Sequence, residues 1–141
     1  GDEGHFHTHG IDVQLPFLQT VLEDFDVVPI VMGAESPDLC RELGHAIGEI
    51  MYNQPTLVVA CANISAGDEE EVARFRELLE ERTISGLMQQ LNSDRINVEG
   101  AGAVLVALLA AEHRRAQKLT ITSLTSPKDG VPGYLGALIS A

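Results

Sequence analysis

The sequence predicts an α/β fold, with a parallel or mixed sheet covered by helices on both faces. Strand-like and helix-like segments alternate from one end to the other, as βαβ units require. Two strand-like segments are continuously apolar, the pattern of strands buried on both sides. No Gly/Ser linker or low-complexity tract divides the 141 residues, so 1–141 reads as one domain, long enough to bury a core.

The elements follow in order. Ile11, Leu15, Leu18 and Leu22 recur at helical spacing, and Pro16 stands near the first turn, where proline is tolerated. Asp26 to Met32 is β-branched and apolar and ends at Gly33, a buried strand. Ser36 then caps a helix with Pro37 at its first position and Asp38 in its first turn, running to about Asn53. Thr56 to Cys61 is the second apolar strand. After Gly67, Val72, Phe75, Leu78 and Leu79 keep helical spacing, and a short helix covers Ile84 to Leu91. Gly100 and Gly102 lead into a buried helix from about Ala103 to Arg115, whose terminal arginines suit its negative end. Lys118 to Thr125 and Tyr134 to Ile139 complete the strands, and all four are expected in one sheet.

Composition narrows the function. A formal charge of −12 excludes nucleic acid and anionic membrane as partners, because both would be repelled. Ala101 to Ala111, the longest apolar run, falls short of the roughly 20 residues of a membrane helix. The acidic group Asp68, Glu69, Glu70 and Glu71 reads as a solvated helix face. Cys40 and Cys61 sit in apolar contexts without zinc-site spacing, as free thiols of a reducing cytoplasm do.

His5, His7 and His9 alternate, so an extended backbone would bring three imidazoles to one face. Such a set could hold a divalent metal: iron, copper or zinc. An ordered loop with locally bonded histidines is the plainer alternative, favoured for His7. His45, within the helix after Ser36, and His113, beside two arginines, read as structural residues. Gly100-Ala101-Gly102 could cradle an anion at a helix start, but close backbone packing explains it better.

The segment His5-Phe6-His7-Thr8-His9-Gly10-Ile11-Asp12-Val13-Gln14-Leu15-Pro16-Phe17-Leu18 resembles the MEMO-family signature. In that signature a histidine precedes a Glu-His-Ser-Leu-Glu-Val-Gln-Leu-Pro-Phe-Leu motif by four residues. His5 and His9 fall on the two histidines, Asp12 on the second glutamate, and Gln14 to Leu18 match outright. Val28 to Gly33 is similar to the family's Val-Pro-Ile-Leu-Val-Gly, and Cys61 to Ala66 takes the place of its Ser-Ser-Asp-Leu-Ser-His. The likeness covers the second half of a typical member.

The resemblance implies a doubly wound, mostly parallel sheet akin to the LigB-type class III extradiol dioxygenases, represented here by its second half. Those enzymes bind a non-haem iron through two histidines and a third ligand, and the two histidines belong to the half not present. It also makes His9 and Asp12 pocket residues, while Asn63, at a strand end, either bonds a ligand in that pocket or simply forms a turn. Asn63 stands where the family has an aspartate and Ala66 where it has a histidine, so the acid/base is gone. The loop from Thr125 to Gly130 offers Asp129 as its one conceivable ligand, in what reads as an Asp-Gly turn.

Three functions stay open, and whether the chain is an enzyme stays open with them. It is a non-catalytic binding or structural subunit, or a metal-dependent oxidoreductase completed by an N-terminal half, or a self-contained histidine metal binder. An unpaired sheet edge invites association, so a complementary MEMO-like chain or a homo-oligomer is expected.

Overall fold

The structure is a computed structural model that describes residues 10–64, 69–81, 83–92, 98–126, 128–129 and 133–141. They fall into two compact units, the first ending at Ala34 and the second running from Glu35 to Ala141.

In the first unit, a turn at residues 10–14 leads into α1 (Leu15–Val21). Pro16 lies in its first turn, where a missing N–H costs nothing. The chain then runs without regular structure through Asp26 to Met32.

The second unit is built around two helices. Ser36 caps α2 (Pro37–Asn53), its Oγ accepting from the Leu39 N–H at 3.4 Å. The helix α5 (Ala101–His113) is apolar on every side and buries Ala101, Leu105, Val106, Leu108, Ala110 and Ala111. A helix of that kind belongs in the middle of a core. Close approach of α2 is set by Gly44 and Gly48, one turn apart and both buried. A Cβ at Gly44 would stand 2.6 Å from Leu109 Cβ, and one at Gly48 would stand 2.6 Å from His113 Cδ2. α3 (Glu69–Glu80) buries Val72, Phe75 and Leu79, and α4 (Ile84–Asn92) buries Leu87 and Met88. Each fully buried leucine contributes roughly 1.5–3 kcal/mol. The C-terminus of α5 is closed by Arg115 at φ 57, with Ala116 N–H bonding back to the Ala111 carbonyl at 2.9 Å.

Strand pairing is sparse. β1 (Asn63–Ile64) pairs antiparallel with β2 (Val98–Glu99). β3 (Lys118–Thr125) and β4 (Tyr134–Ser140) form an antiparallel hairpin. Between Ile121↔Ala137 and Ser123↔Gly136 the register slips by one residue at Thr122, and Gly136 leaves room for Ser123 Oγ there.

The mixed α/β character expected from the sequence is therefore present, but the single parallel sheet is not. Among the described residues, neither Asp26–Met32 nor Thr56–Cys61 enters a ladder, and both ladders are antiparallel and two strands wide. The physical reason is the shortage of neighbours. A strand apolar on both faces is stable between other strands under covering helices, and the described residues supply none beside these two segments. No described helix is long and apolar enough to cross a membrane.

Candidate functional site

The strand end singled out in the sequence is where three backbone segments meet. Asn63 is exposed on β1 opposite Glu99, and the chain turns at Gly100 into α5. Gly100 has φ 85, a left-handed conformation that favours glycine. A Cβ there would also stand 2.8 Å from the Cys61 carbonyl oxygen and 3.2 Å from Ala62 Cα. Gly102 in turn makes room for Glu35, whose Cβ and Cγ would lie 2.8 and 2.9 Å from an added Cβ. The Gly100-Ala101-Gly102 turn is thus a packing device. A carboxylate side chain already lies against the positive end of α5, which leaves little for a second anion. Beside it, the Cys40 thiol donates to the Gly102 carbonyl at 3.8 Å. Burial first, and the Glu35 charge second, push its pKa above the ordinary 9.0. Burial alone raises Cys61.

The other expected site residues are placed less fully. Asp12 lies exposed in the turn before α1, in the first unit, whereas Asn63 belongs to the second. His5, His7, His9 and Ala66 lie outside the described residues. Asp129, at φ 51, sits in a turn, as the Asp-Gly pair implies. Among the described residues, the strand end offers one amide and one carboxylate, and no imidazole. That donor set does not fit the non-haem iron of the extradiol enzymes, which calls for two histidines.

A second constellation lies between α2 and α5. His45 and Glu49 are four residues apart on α2, so they stand one above the other on the same exposed face. His113, the last residue of α5, reaches the same place from across the helix seam. Its Nε2 donates to Glu49 Oε1 at 2.6 Å. The His45 and His113 rings are 4.5 Å apart, centroid to centroid, and inclined at 36°. One ligand atom from each of the three residues lies within 4.8 Å of the others.

Backbone and ring packing hold His113 there. Gly48 lies directly beneath it, and Tyr52 meets it edge-on at 5.7 Å between ring centroids. The Tyr52 hydroxyl donates to the His113 carbonyl at 3.4 Å, while Arg114 caps the Tyr52 face at 3.8 Å. Sequence reading treated His45 and His113 as structural. The i, i+4 pairing of His45 with Glu49 was the available signal, but the 64-residue step from Glu49 to His113 is set by helix packing and leaves no local pattern.

Comparison with known proteins identifies the family. The Memo-like protein family model matches residues 2–138. The chain belongs to that family. Among curated relatives, a MEMO1 family protein of Saccharolobus islandicus is 29% identical over 150 residues, covering 96% of this chain and 53% of its own length. A MEMO1 family protein of Saccharolobus solfataricus is 29% identical over the same shares. One from Thermotoga neapolitana is 30% identical, covering 96% of this chain and 52% of its own. The Memo-like chain therefore spans about half the length of the curated relatives it matches. No solved structure matches it. Of the two pocket candidates in the first motif, His9 and Asp12, the described residues include Asp12.

Proposed function

We propose that this chain is one half of a single doubly wound MEMO-like α/β domain, acting as a non-catalytic binding or structural subunit in the cytoplasm. A complementary MEMO-like chain would supply the other half. The observation that carries this reading is the state of the sheet. The β3–β4 hairpin buries none of its residues, although Leu119, Ile121, Leu124, Leu135, Leu138 and Ile139 are apolar. Leu57 and Val59, on the apolar segment Thr56–Cys61, are 61% and 47% exposed. A two-stranded hairpin is marginal alone, and three or more strands over an apolar face are needed for stability. The partner's strands would lie beside these segments and complete a larger, mixed sheet.

Loss of chemistry follows from the residues at the strand end. Asn63 cannot ionise, and Ala66 cannot move a proton. Loss of a general acid/base costs on the order of 10²–10⁴-fold in rate. His9 and Asp12 remain as pocket candidates, and His5, His7 and His9 as the set that would accept iron, copper or zinc.

Sedimentation at micromolar concentration, with identification of any co-purifying chain, tests the assembly. A species heavier than the 15.2 kDa monomer and containing a second MEMO-like polypeptide is expected. A folded monomer would overturn the proposal, and a homo-oligomer would replace the partner with a second copy. Oxygen uptake with a catechol panel after anaerobic ferrous loading tests the chemistry. The chain alone is expected to be inactive, and turnover would return the function to a metal-dependent oxidoreductase of the dioxygenase type.

A further inference from the structure

We infer that His45, Glu49 and His113 form a binding site for a divalent first-row transition metal ion, of the zinc and copper(II) class, separate from the family's motifs. Two imidazoles and a carboxylate are the donors such ions take, whereas magnesium and calcium prefer oxygen alone. The ligand atoms already lie within 4.8 Å of one another. Metal–ligand bonds of about 2.0–2.1 Å put tetrahedral donors roughly 3.4 Å apart, so an ion would draw His45 in and replace the 2.6 Å His113–Glu49 hydrogen bond with a slightly wider pair. His45 and Glu49 are both exposed, so small side-chain rotations suffice to close the set.

A surface ion pair does not account for the whole arrangement. It explains why His113 meets Glu49, an interaction worth about 0–1 kcal/mol where solvent reaches it. It does not explain why a second imidazole stands 4.5 Å from the first. A shared cation does, because each ring then turns a nitrogen lone pair toward one centre. The framework is also unequal in a useful way. His113 is held by Gly48, Tyr52 and the end of α5, while His45 and Glu49 reach it from a single helix turn. One fixed ligand and two adjustable ones lower the ordering cost of capturing an ion. Three protein ligands leave a fourth position for water, and the exposure of Glu49 gives the ion a route in from solvent. The net charge of −12 draws cations toward the chain.

Calorimetric titration with zinc chloride, followed by copper(II) electron paramagnetic resonance, tests the site. The protein should carry the changes H5A, H7A and H9A, so that the N-terminal histidines cannot bind the metal themselves. That protein is expected to bind one zinc ion, and its copper spectrum should show coupling to two imidazole nitrogens. Adding His45→Ala should remove one nitrogen coupling. Adding Glu49→Gln, an exposed change that leaves both rings in place, should weaken zinc binding by at least the roughly 10–100-fold that loss of a supporting hydrogen bond costs. No zinc binding by the H5A/H7A/H9A protein would overturn the inference. So would binding that is unchanged in both the His45→Ala and Glu49→Gln variants.

Discussion

Gly44→Ala is expected to destabilise the second unit by up to about 2 kcal/mol, even though alanine is the better helix former. Propensity alone favours the change by roughly 0.8–1 kcal/mol in a helix interior. Against it stands the seam between α2 and α5, where the new methyl would lie 2.6 Å from Leu109 Cβ and 3.2 Å from the Val106 carbonyl oxygen. Carbon atoms in good contact sit about 3.5–4.0 Å apart, so the helices must separate by roughly 1 Å. Neither obstacle is the loose end of a side chain. One is a backbone oxygen and the other a Cβ fixed to the backbone, so rotamer changes cannot relieve the clash. Overpacking of this kind costs typically 1–3 kcal/mol, which outweighs the propensity gain.

Urea unfolding followed by circular dichroism measures the balance. With a slope near the middle of the usual ~1–3 kcal/mol/M, the midpoint should fall by up to roughly 1 M. Gly86→Ala is the control on the same unit. Its nearest obstacles, the Thr83 hydroxyl at 3.1 Å and Leu78 Cδ2 and Thr83 Cβ at 3.2 Å, all stand farther off than the 2.6 Å of Leu109 Cβ at Gly44. It should be neutral or slightly stabilising. A higher midpoint for Gly44→Ala than for the parent protein would refute the seam as described.

Other outcomes follow from local geometry. Gly100→Ala should cost about 1–3 kcal/mol from its φ of 85 alone, and more from the Cys61 carbonyl 2.8 Å away; equilibrium denaturation reads the loss. Ser36→Ala should cost only about 0.5 kcal/mol, the low end for an N-cap, because the 3.4 Å bond to Leu39 is long and exposed. Cys40 is fully buried with a raised pKa, so a disulfide reagent at pH 8 should modify it only at the rate of unfolding, and Cys61 faster. Both thiols favour the neutral form in the folded state. Their contribution to stability is therefore complete below pH 9.0 and is lost as pH rises through the higher folded values, which denaturation midpoints taken across that range will show.

Much of the local structure was legible in the sequence because it depends on near neighbours. Ser36-Pro37 begins α2 and Asn53 ends it, as its cap chemistry and apolar spacing indicate. Lys118–Thr125 is a strand with the expected limits, and Ala101 to Ala111 lies in a buried helix. Pairing was not legible in the same way. Continuous apolar β-branched runs such as Val27 to Met32 and Thr56 to Cys61 specify that a segment wants covering on both faces, and say nothing of which strand lies alongside. Which strand lies alongside is decided by long-range packing, and the described residues pair only in two antiparallel ladders.

The site divides along the same line. Asn63 and Asp12 stand out in the sequence because a motif fixes their positions in the chain. His45, Glu49 and His113 match no motif, and from sequence alone the two histidines read as structural residues. What joins them is Gly44 and Gly48, which let α5 come close enough for its last residue to reach across to α2. Glycines at i and i+4 on an otherwise amphipathic helix mark a close helix crossing, and that mark was readable in the sequence. The polar residues beside them, His45 one position after Gly44 and Glu49 one after Gly48, then sit at the rim of the crossing rather than in its floor. Any side chain at the end of the opposing helix must meet them there. The same two glycines thus place the core seam and the histidine cluster, so the stability of the one and the geometry of the other should change together.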